Sequence, residues 1–168
     1  MLSIIRAIDA INDWFGRFIA PVIAIITLIV IYDIALRYFI GRPSDWAFDI
    51  TKMLFGAYFM LLTAYGMRHC VHAEVDIVKQ LLSKRVRTVT DLVGYIVFFT
   101  PFVWLLLTHG WEFATRSWSR GETTYGMVSI PIYPLKTVIV VTGALILLQG
   151  VSIVLRLILE LKESEHGA

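Results

Sequence analysis

The sequence contains one cysteine, Cys70, so it can form no disulfide within the chain and has no Cys-x-x-Cys motif for redox chemistry or metal binding. Charge is also scarce: 17% of the residues are charged, against about 25% in an average soluble domain. The formal net charge of +2 provides no broad basic face. These shortages exclude a disulfide scaffold and argue against nucleic acid as a partner.

Motifs of the common enzyme classes are missing too. The sequence has no Ser/His/Asp arrangement, no phosphate-cradling glycine-rich loop and no pair of carboxylates at hydrolase spacing. No internal repeat is visible, so a transporter core built from inverted repeats has little support. We therefore expect a protein that is not an enzyme and that holds no cofactor or metal of its own.

Apolar residues, in contrast, make up 58% of the chain. A helical run of about 20 apolar residues matches the roughly 30 Å hydrocarbon core of a bilayer. Such runs predict an all-α integral membrane protein with four transmembrane helices. The whole chain, 1–168, forms a single membrane domain in this interpretation, with spans at about 17–36, 48–67, 91–109 and 131–157 and a polar loop over roughly 110–130.

Two shorter stretches, at about 3–16 and 71–86, show the apolar periodicity of amphipathic helices. In the first, Asp9 and Asp13 fall outside the apolar face, so we expect short interfacial helices lying on the bilayer. The N-terminal segment, the 68–89 connection and the C-terminal tail hold more Lys and Arg than the other two connections. The positive-inside rule then places both termini in the cytoplasm.

Asp33 and Lys52 are the charged residues nearest to membrane depth, where burying a charge costs several kcal/mol. Each has a partner of opposite charge on its own helix: Arg37 follows Asp33 by four residues, and Asp49 precedes Lys52 by three. We predict local ion pairs here rather than a proton or sodium relay. The spans show no polar group or broken helix at mid-depth, and hence no obvious place to bind an ion or substrate.

Several short motifs resemble a known family by their order and placement. The first span closes with Arg37-Tyr38-Phe39, and the second opens with Pro43-Ser44-Asp45-Trp46 and Asp49. After these come His72-Ala73-Glu74-Val75-Asp76, Arg116-Ser117-Trp118, Gly121-Glu122, Ile130-Pro131, Lys136 and Leu147-Leu148-Gln149-Gly150. Over essentially the whole chain the pattern resembles the small membrane subunit, of DctQ type, of tripartite ATP-independent periplasmic (TRAP) transporters. Asp49 stands where that family more often has glutamate.

The resemblance implies an accessory or scaffold subunit in the bacterial inner (cytoplasmic) membrane. It would stand beside a large multi-span subunit that imports a small solute, usually an organic acid, with sodium, so that sodium coupling belongs to the partner. A periplasmic solute-binding protein would deliver the solute. Candidate partner contacts are Arg37, Asp45, Trp46, Asp49, Lys52, His72, Asp76, Arg116, Arg120 and Glu122. Those in the outward loops (Asp45, Trp46, Arg116, Arg120 and Glu122) suit the binding protein.

Two other interpretations stay open. His69, His72 and His109 invite a small haem-binding or other redox-complex membrane subunit, although none of them lies inside a predicted span opposite another. A self-contained four-helix exporter is the second. Haem absorbance would identify the first, and solute flux through the chain alone would identify the second.

Overall fold

The protein was analysed as a computed structural model that describes residues 2–69 and 84–166. In these residues the chain forms α-helices joined by short connections, and one π-helical turn, Tyr95–Phe99, links the fourth helix to the fifth. The helices are α1 (Leu2–Ile19), α2 (Val22–Phe39), α3 (Ala47–Arg68), α4 (Lys84–Gly94), α5 (Thr100–Arg120) and α6 (Tyr133–His166). Residues 71–83 of the second predicted interfacial helix, with His72 and Asp76, lie outside the described residues.

Four helical stretches are long and apolar enough to cross a bilayer: Ser3–Phe39, Ala47–Arg68, Arg85–Arg120 and Tyr133–Lys162. They confirm the predicted all-α fold with four membrane-spanning helices. The fourth stretch is the most enclosed, with 39% of its most apolar window buried against 6–11% in the other three. Helix α6 is therefore the centre of the bundle, and it contacts α1, α3, α4 and α5.

The bundle core is small and apolar. Its fully buried members are Ala64 on α3, Val103 on α5, and Leu145 with Ile146 on α6. Small residues bring α5 and α6 close together: a Cβ added at Gly143 would lie 2.9 Å from Leu107 Cδ2. Close backbone approach at small residues is a usual basis of helix association in membranes.

Helix α5 runs further than the sequence predicted. The loop expected over 110–130 begins only at Gly121, because Gly110, Ala114 and Ser117 continue a buried face at spacings of four and three. The helix ends in a Schellman-type turn. Gly121 adopts the left-handed conformation with φ of 58°, and the Glu122 N–H donates to the Ser117 carbonyl at 3.2 Å.

The third span is not a continuous α-helix, contrary to the expectation from the sequence. Pro101 has no N–H, and its ring crowds the carbonyl four residues earlier, so the α-helical bonding pattern cannot continue through it. The chain widens into the π-helical turn, where the Thr100 N–H and hydroxyl both donate to the Tyr95 carbonyl. Such single π turns occur often at functional sites.

Helix α1 turns a different face to the bundle from the one the sequence suggested. The apolar periodicity of this segment includes Ile4, Ile8 and Ile11; Ile8 is buried, but Ile4 and Ile11 are 55% and 43% exposed. Asp9 and Asn12 are buried instead. The reason is that α1 packs against α3 and α6, and α6 offers polar partners to Asp9 and Asn12. Helix α1 is thus an integral part of the bundle.

Candidate partner-binding surfaces

The turn between α2 and α3 is organised by Asp33. Its carboxylate accepts hydrogen bonds from the Arg37 guanidinium at 3.5 Å and from the Ser44 N–H at 2.8 Å. Ser44 Oγ in turn accepts from the Ala47 N–H at 2.9 Å, in the first turn of α3. The predicted Asp33–Arg37 ion pair is confirmed. The contact between Asp33 and Ser44, eleven residues apart, had no signal in the sequence.

Other predicted contact residues in this turn remain accessible. The Arg37 side chain is 64% exposed, and Asp45 is exposed. Trp46 is half-buried because its ring stacks on Tyr32, with 5.9 Å between the ring centroids. The turn thus presents one cation, one anion and the edge of an aromatic pair.

The first turns of α3 carry the predicted ion pair between Asp49 and Lys52. Lys52 Nζ lies 3.1 Å from Asp49 Oδ1, which confirms the pair. The ammonium group also lies 5.0 Å from the centre of the Phe48 ring, within cation–π range. The lysine side chain is 63% exposed and the aspartate side chain 16%. Lys52 therefore presents its charge to the surroundings while Asp49 faces inward.

Residues 122–132, which we call the outer hairpin, connect α5 to α6. Two backbone bonds join its arms: the Thr124 N–H donates to the Ile130 carbonyl at 2.8 Å, and the Ile132 N–H to the Glu122 carbonyl at 2.9 Å. Its tip rests on α3, because a Cβ at Gly126 would lie 2.5 Å from Asp49 Oδ2. A cavity of about 600 Å³ separates the outer hairpin from α3. Asp49 and Lys52 line it on one side.

Glu122 fixes the base of the outer hairpin. Its Oε2 accepts a hydrogen bond from Lys136 Nζ and another from Ser117 Oγ at 2.7 Å. The Lys136 hydrogen bond, followed by that of Ser117, holds the pKa of the Glu122 carboxyl below its ordinary value of 4.5. Lys136 also lies 3.9 Å from the centre of the Phe113 ring. Glu122 thus joins α5 to α6, a structural contact that its place in an outward loop did not suggest.

The two predicted arginines of α5 lie on its outer surface. Arg116 pairs with Glu112 at 2.9 Å, one turn earlier, and both side chains are more than half exposed. Arg120 ends the helix and is exposed. Of the candidate contact residues, the structure brings Asp49, Lys52 and Glu122 to the surroundings of the outer hairpin. Arg37, Asp45 and Trp46 lie together at the other outer turn.

On the side of the bundle nearer the termini, a buried polar network joins α1 to α6. Asp9 Oδ1 accepts from Gln149 Nε2 at 3.3 Å and from Ser152 Oγ at 3.1 Å, while its Oδ2 pairs with Arg156. Asn12 Nδ2 donates to Gln149 Oε1 at 2.6 Å. Gln149 is thus a buried polar residue within the predicted fourth span, 131–157. The spacing of Gln149, Ser152 and Arg156, three and four residues apart, is a signal that sequence reasoning missed.

A second polar contact joins α1 to α3. Arg68 pairs with the Asp13 carboxylate and donates to the Asp9 carbonyl at 2.7 Å. One turn further along α1, Gly16 meets the ring of Tyr65, and a side chain at Gly16 would overlap that ring. His69 stacks on Tyr65, with 4.2 Å between the ring centroids. Across residues 2–69 and 84–166, no group of three or more His, Cys, Asp and Glu side chains is arranged to hold a metal ion.

An apolar groove of about 660 Å³ runs beside the π-helical turn. Its walls come from α3, the end of α4, the turn itself, the start of α5, and α6. The lining includes Thr63, Met67, Phe98, Phe99, Phe102 and Ile146. The widened turn therefore creates an aromatic recess on the flank of the bundle.

Comparison with protein families gives a match over most of the chain. The family described as "Tripartite ATP-independent periplasmic transporters, DctQ component" matches residues 26–160. This range runs from α2 into α6 and leaves out α1. A comparison with curated proteins gave no match.

Proposed function

The chain belongs to the DctQ component family of tripartite ATP-independent periplasmic transporters, and we propose that it is the fixed scaffold subunit of a sodium-driven importer. It is a multi-pass membrane protein and a transporter component rather than an enzyme. In our proposal a large multi-span subunit binds and moves the solute, an organic acid or related small molecule, together with sodium. A periplasmic solute-binding protein delivers that solute.

The buried network between α1 and α6 is the observation that carries the scaffold role. A helix bundle that moves ions or solutes needs polar groups that bind and release them near the middle of the membrane. Here Asp9, Gln149, Ser152 and Arg156 lie toward the side of the bundle that holds the termini, and they bond one another. Their bonds lock two helices together, so this polar network supports a stationary element beside a moving partner.

The outer surface of the spans suits contact with lipid and with a larger membrane subunit. Helix α2 leaves a series of large aliphatic side chains exposed: Ile23, Ile25, Leu28, Val30, Ile31 and Ile34. The aromatic groove beside the π-helical turn adds a concave surface on another flank. This exposed apolar surface is large enough to contact both the lipid bilayer and a membrane partner.

We further propose that the chain lies in the bacterial inner membrane with both termini in the cytoplasm. The distribution of Lys and Arg supports this orientation. Because Cys70 is the single cysteine, a Cys70→Ser background permits labelling at one chosen site. A cysteine introduced at the exposed Ser129 of the outer hairpin should react with an impermeant maleimide in intact spheroplasts. Reaction only after lysis would contradict the proposed orientation.

The transport role is tested by reconstitution. Proteoliposomes would contain the large subunit that co-purifies with this chain, with or without the chain, and the solute-binding protein would be added outside. Uptake of a labelled organic acid should require an inward sodium gradient, the binding protein and this chain. Solute flux through the chain alone would favour an exporter, and a haem absorbance band in the purified chain would favour a redox subunit. Either result would contradict the proposal.

A further inference from the structure

We propose that the tip of the outer hairpin, formed by Tyr125 and Met127, is the anchor that docks this subunit onto the soluble solute-binding protein. The inference rests on the proposed function, because that function supplies the partner. It differs from the prediction made from the sequence, which assigned this contact to other residues of the outward loops: Asp45, Trp46, Arg116, Arg120 and Glu122.

The tip is exposed to an extent that its apolar character does not explain. Tyr125 is fully exposed and Met127 is 88% exposed, on either side of Gly126. Two large side chains held together in water form a patch that a protein partner can cover. Tyrosine and methionine are both enriched in protein interfaces, and tyrosine is frequent among the residues that dominate binding energy.

The outer hairpin holds this tip in a defined shape. Besides the two backbone bonds between its arms, Thr124 Oγ1 donates to the Val128 carbonyl at 2.9 Å and accepts from the Ile130 N–H at 3.0 Å. Gly126 rests against the Asp49 carboxylate, so α3 supports the tip from below. A preorganised loop loses little conformational entropy when it binds. The tip therefore has the rigidity expected of a docking element.

Charges on α5 place the outer hairpin beyond the lipid acyl chains. Glu112 and Arg116 form an ion pair with side chains 59% and 66% exposed. Exposed charges are excluded from the hydrocarbon, so the apolar core of the bilayer ends before Glu112 on this side. Ser117, which bonds Glu122 at the base of the outer hairpin, lies about 7 Å further out along the helix. The tip itself rests on Asp49, which pairs with the mostly exposed Lys52, so charged groups lie beside it as well. Acyl chains are excluded from such charges, whereas a soluble protein can cover the tip.

The cavity beside the tip supports the same partner. Its volume of about 600 Å³ accommodates side chains from another protein, and Lys52 projects a mostly exposed ammonium group at its edge. An acidic side chain of the binding protein entering this cavity would meet Lys52. An apolar anchor next to a polar recess is the usual division between the core and the rim of a protein interface.

The test uses the whole membrane complex in lipid nanodiscs, with the dissociation constant for the solute-binding protein as the readout. The double variant Tyr125→Ser/Met127→Ser should bind about tenfold more weakly or worse, with unchanged assembly of the complex. The matched control is Tyr38→Ser, which removes a tyrosine that is 84% exposed at the end of α2. It should change the affinity less than about twofold.

Three results would overturn the inference. Binding of the double variant within about twofold of the wild type would show that the tip is not the anchor. Quenching of a Tyr125→Trp variant by brominated lipids would place the tip in the bilayer. Failure of the wild-type complex to bind any solute-binding protein would show that the proposed partner does not dock on this subunit. This last result also contradicts the proposed function, whereas the first two leave that function intact.

Discussion

Substitution of Asp9 by alanine tests the buried network between α1 and α6. The carboxylate of Asp9 accepts bonds from Gln149 and Ser152 and pairs with Arg156. Removing it leaves these three donors without their acceptor. Because the network joins the first helix to the central helix, we expect the whole bundle to lose stability.

The size of the loss follows from the burial of each donor. Gln149 and Ser152 are 1% and 0% exposed, and a buried donor left unpaired costs about 1–3 kcal/mol. The cost for Ser152 lies near the low end of this range, because a helical serine can turn its hydroxyl to a carbonyl of the preceding turn. Arg156 has a side chain 49% exposed, so water screens its charge and it adds little. Asp9→Ala should therefore lower the free energy of unfolding by about 2–4 kcal/mol.

The assay is reversible unfolding of the full chain in bicelles, followed by steric trapping between tags on α1 and α6. Asp9→Asn keeps an oxygen that can accept from Gln149 and Ser152, so its loss should be roughly half that of Asp9→Ala. Asp45→Ala is the control, because Asp45 is exposed and should change the free energy by less than about 0.5 kcal/mol. If Asp9→Ala unfolds within about 0.5 kcal/mol of the wild type, the network does not hold α1 in the bundle.

Two further predictions concern other contacts. Gly150→Ala should lower the melting temperature, because its Cβ would overlap the ring of Phe99. Gly56→Ala, whose Cβ meets nothing within 4 Å, should leave the melting temperature unchanged or raise it. Equal effects would contradict the packing of the π-helical turn on α6. The pKa of the Glu122 carboxyl is lowered in the folded protein, first by its hydrogen bond with Lys136. The ionised carboxylate therefore stabilises the outer hairpin above about pH 4.5, and this stabilisation is lost as the pH falls through the lowered pKa of the folded state. Amide hydrogen exchange in the outer hairpin, corrected for intrinsic rates, should become faster in that acid range for the wild type but not for Glu122→Gln. An identical pH response in both proteins would contradict a stabilising ion pair between Glu122 and Lys136.

The main architecture could be predicted from the sequence because length and apolar composition are sufficient to identify membrane-spanning helices. Local ion pairs could also be predicted, since Asp33 with Arg37 and Asp49 with Lys52 are separated by a single helical turn. In each case the physical cause lies within one short segment of the chain. The family match over residues 26–160 agrees with the resemblance that the short motifs suggested.

Contacts between distant segments could not be predicted in the same way. The face that α1 buries is decided by Gln149 and Ser152, which lie about 140 residues further along the chain. Apolar periodicity alone placed Asp9 outside the apolar face of a helix lying on the bilayer. The outer hairpin could likewise not be predicted, because the residues that hold it in place, Asp49 on α3 and Lys136 on α6, lie in other segments of the chain.

The measurement that tests membership in a transport complex most directly is co-purification from native membranes. The full chain, tagged at its C-terminus, would be solubilised in mild detergent, and the proteins present in stoichiometric amount would be identified by mass spectrometry. We expect one large multi-span membrane protein to accompany it. Purification of the chain alone, or with a redox partner and the colour of haem, would contradict its assignment as a transporter subunit.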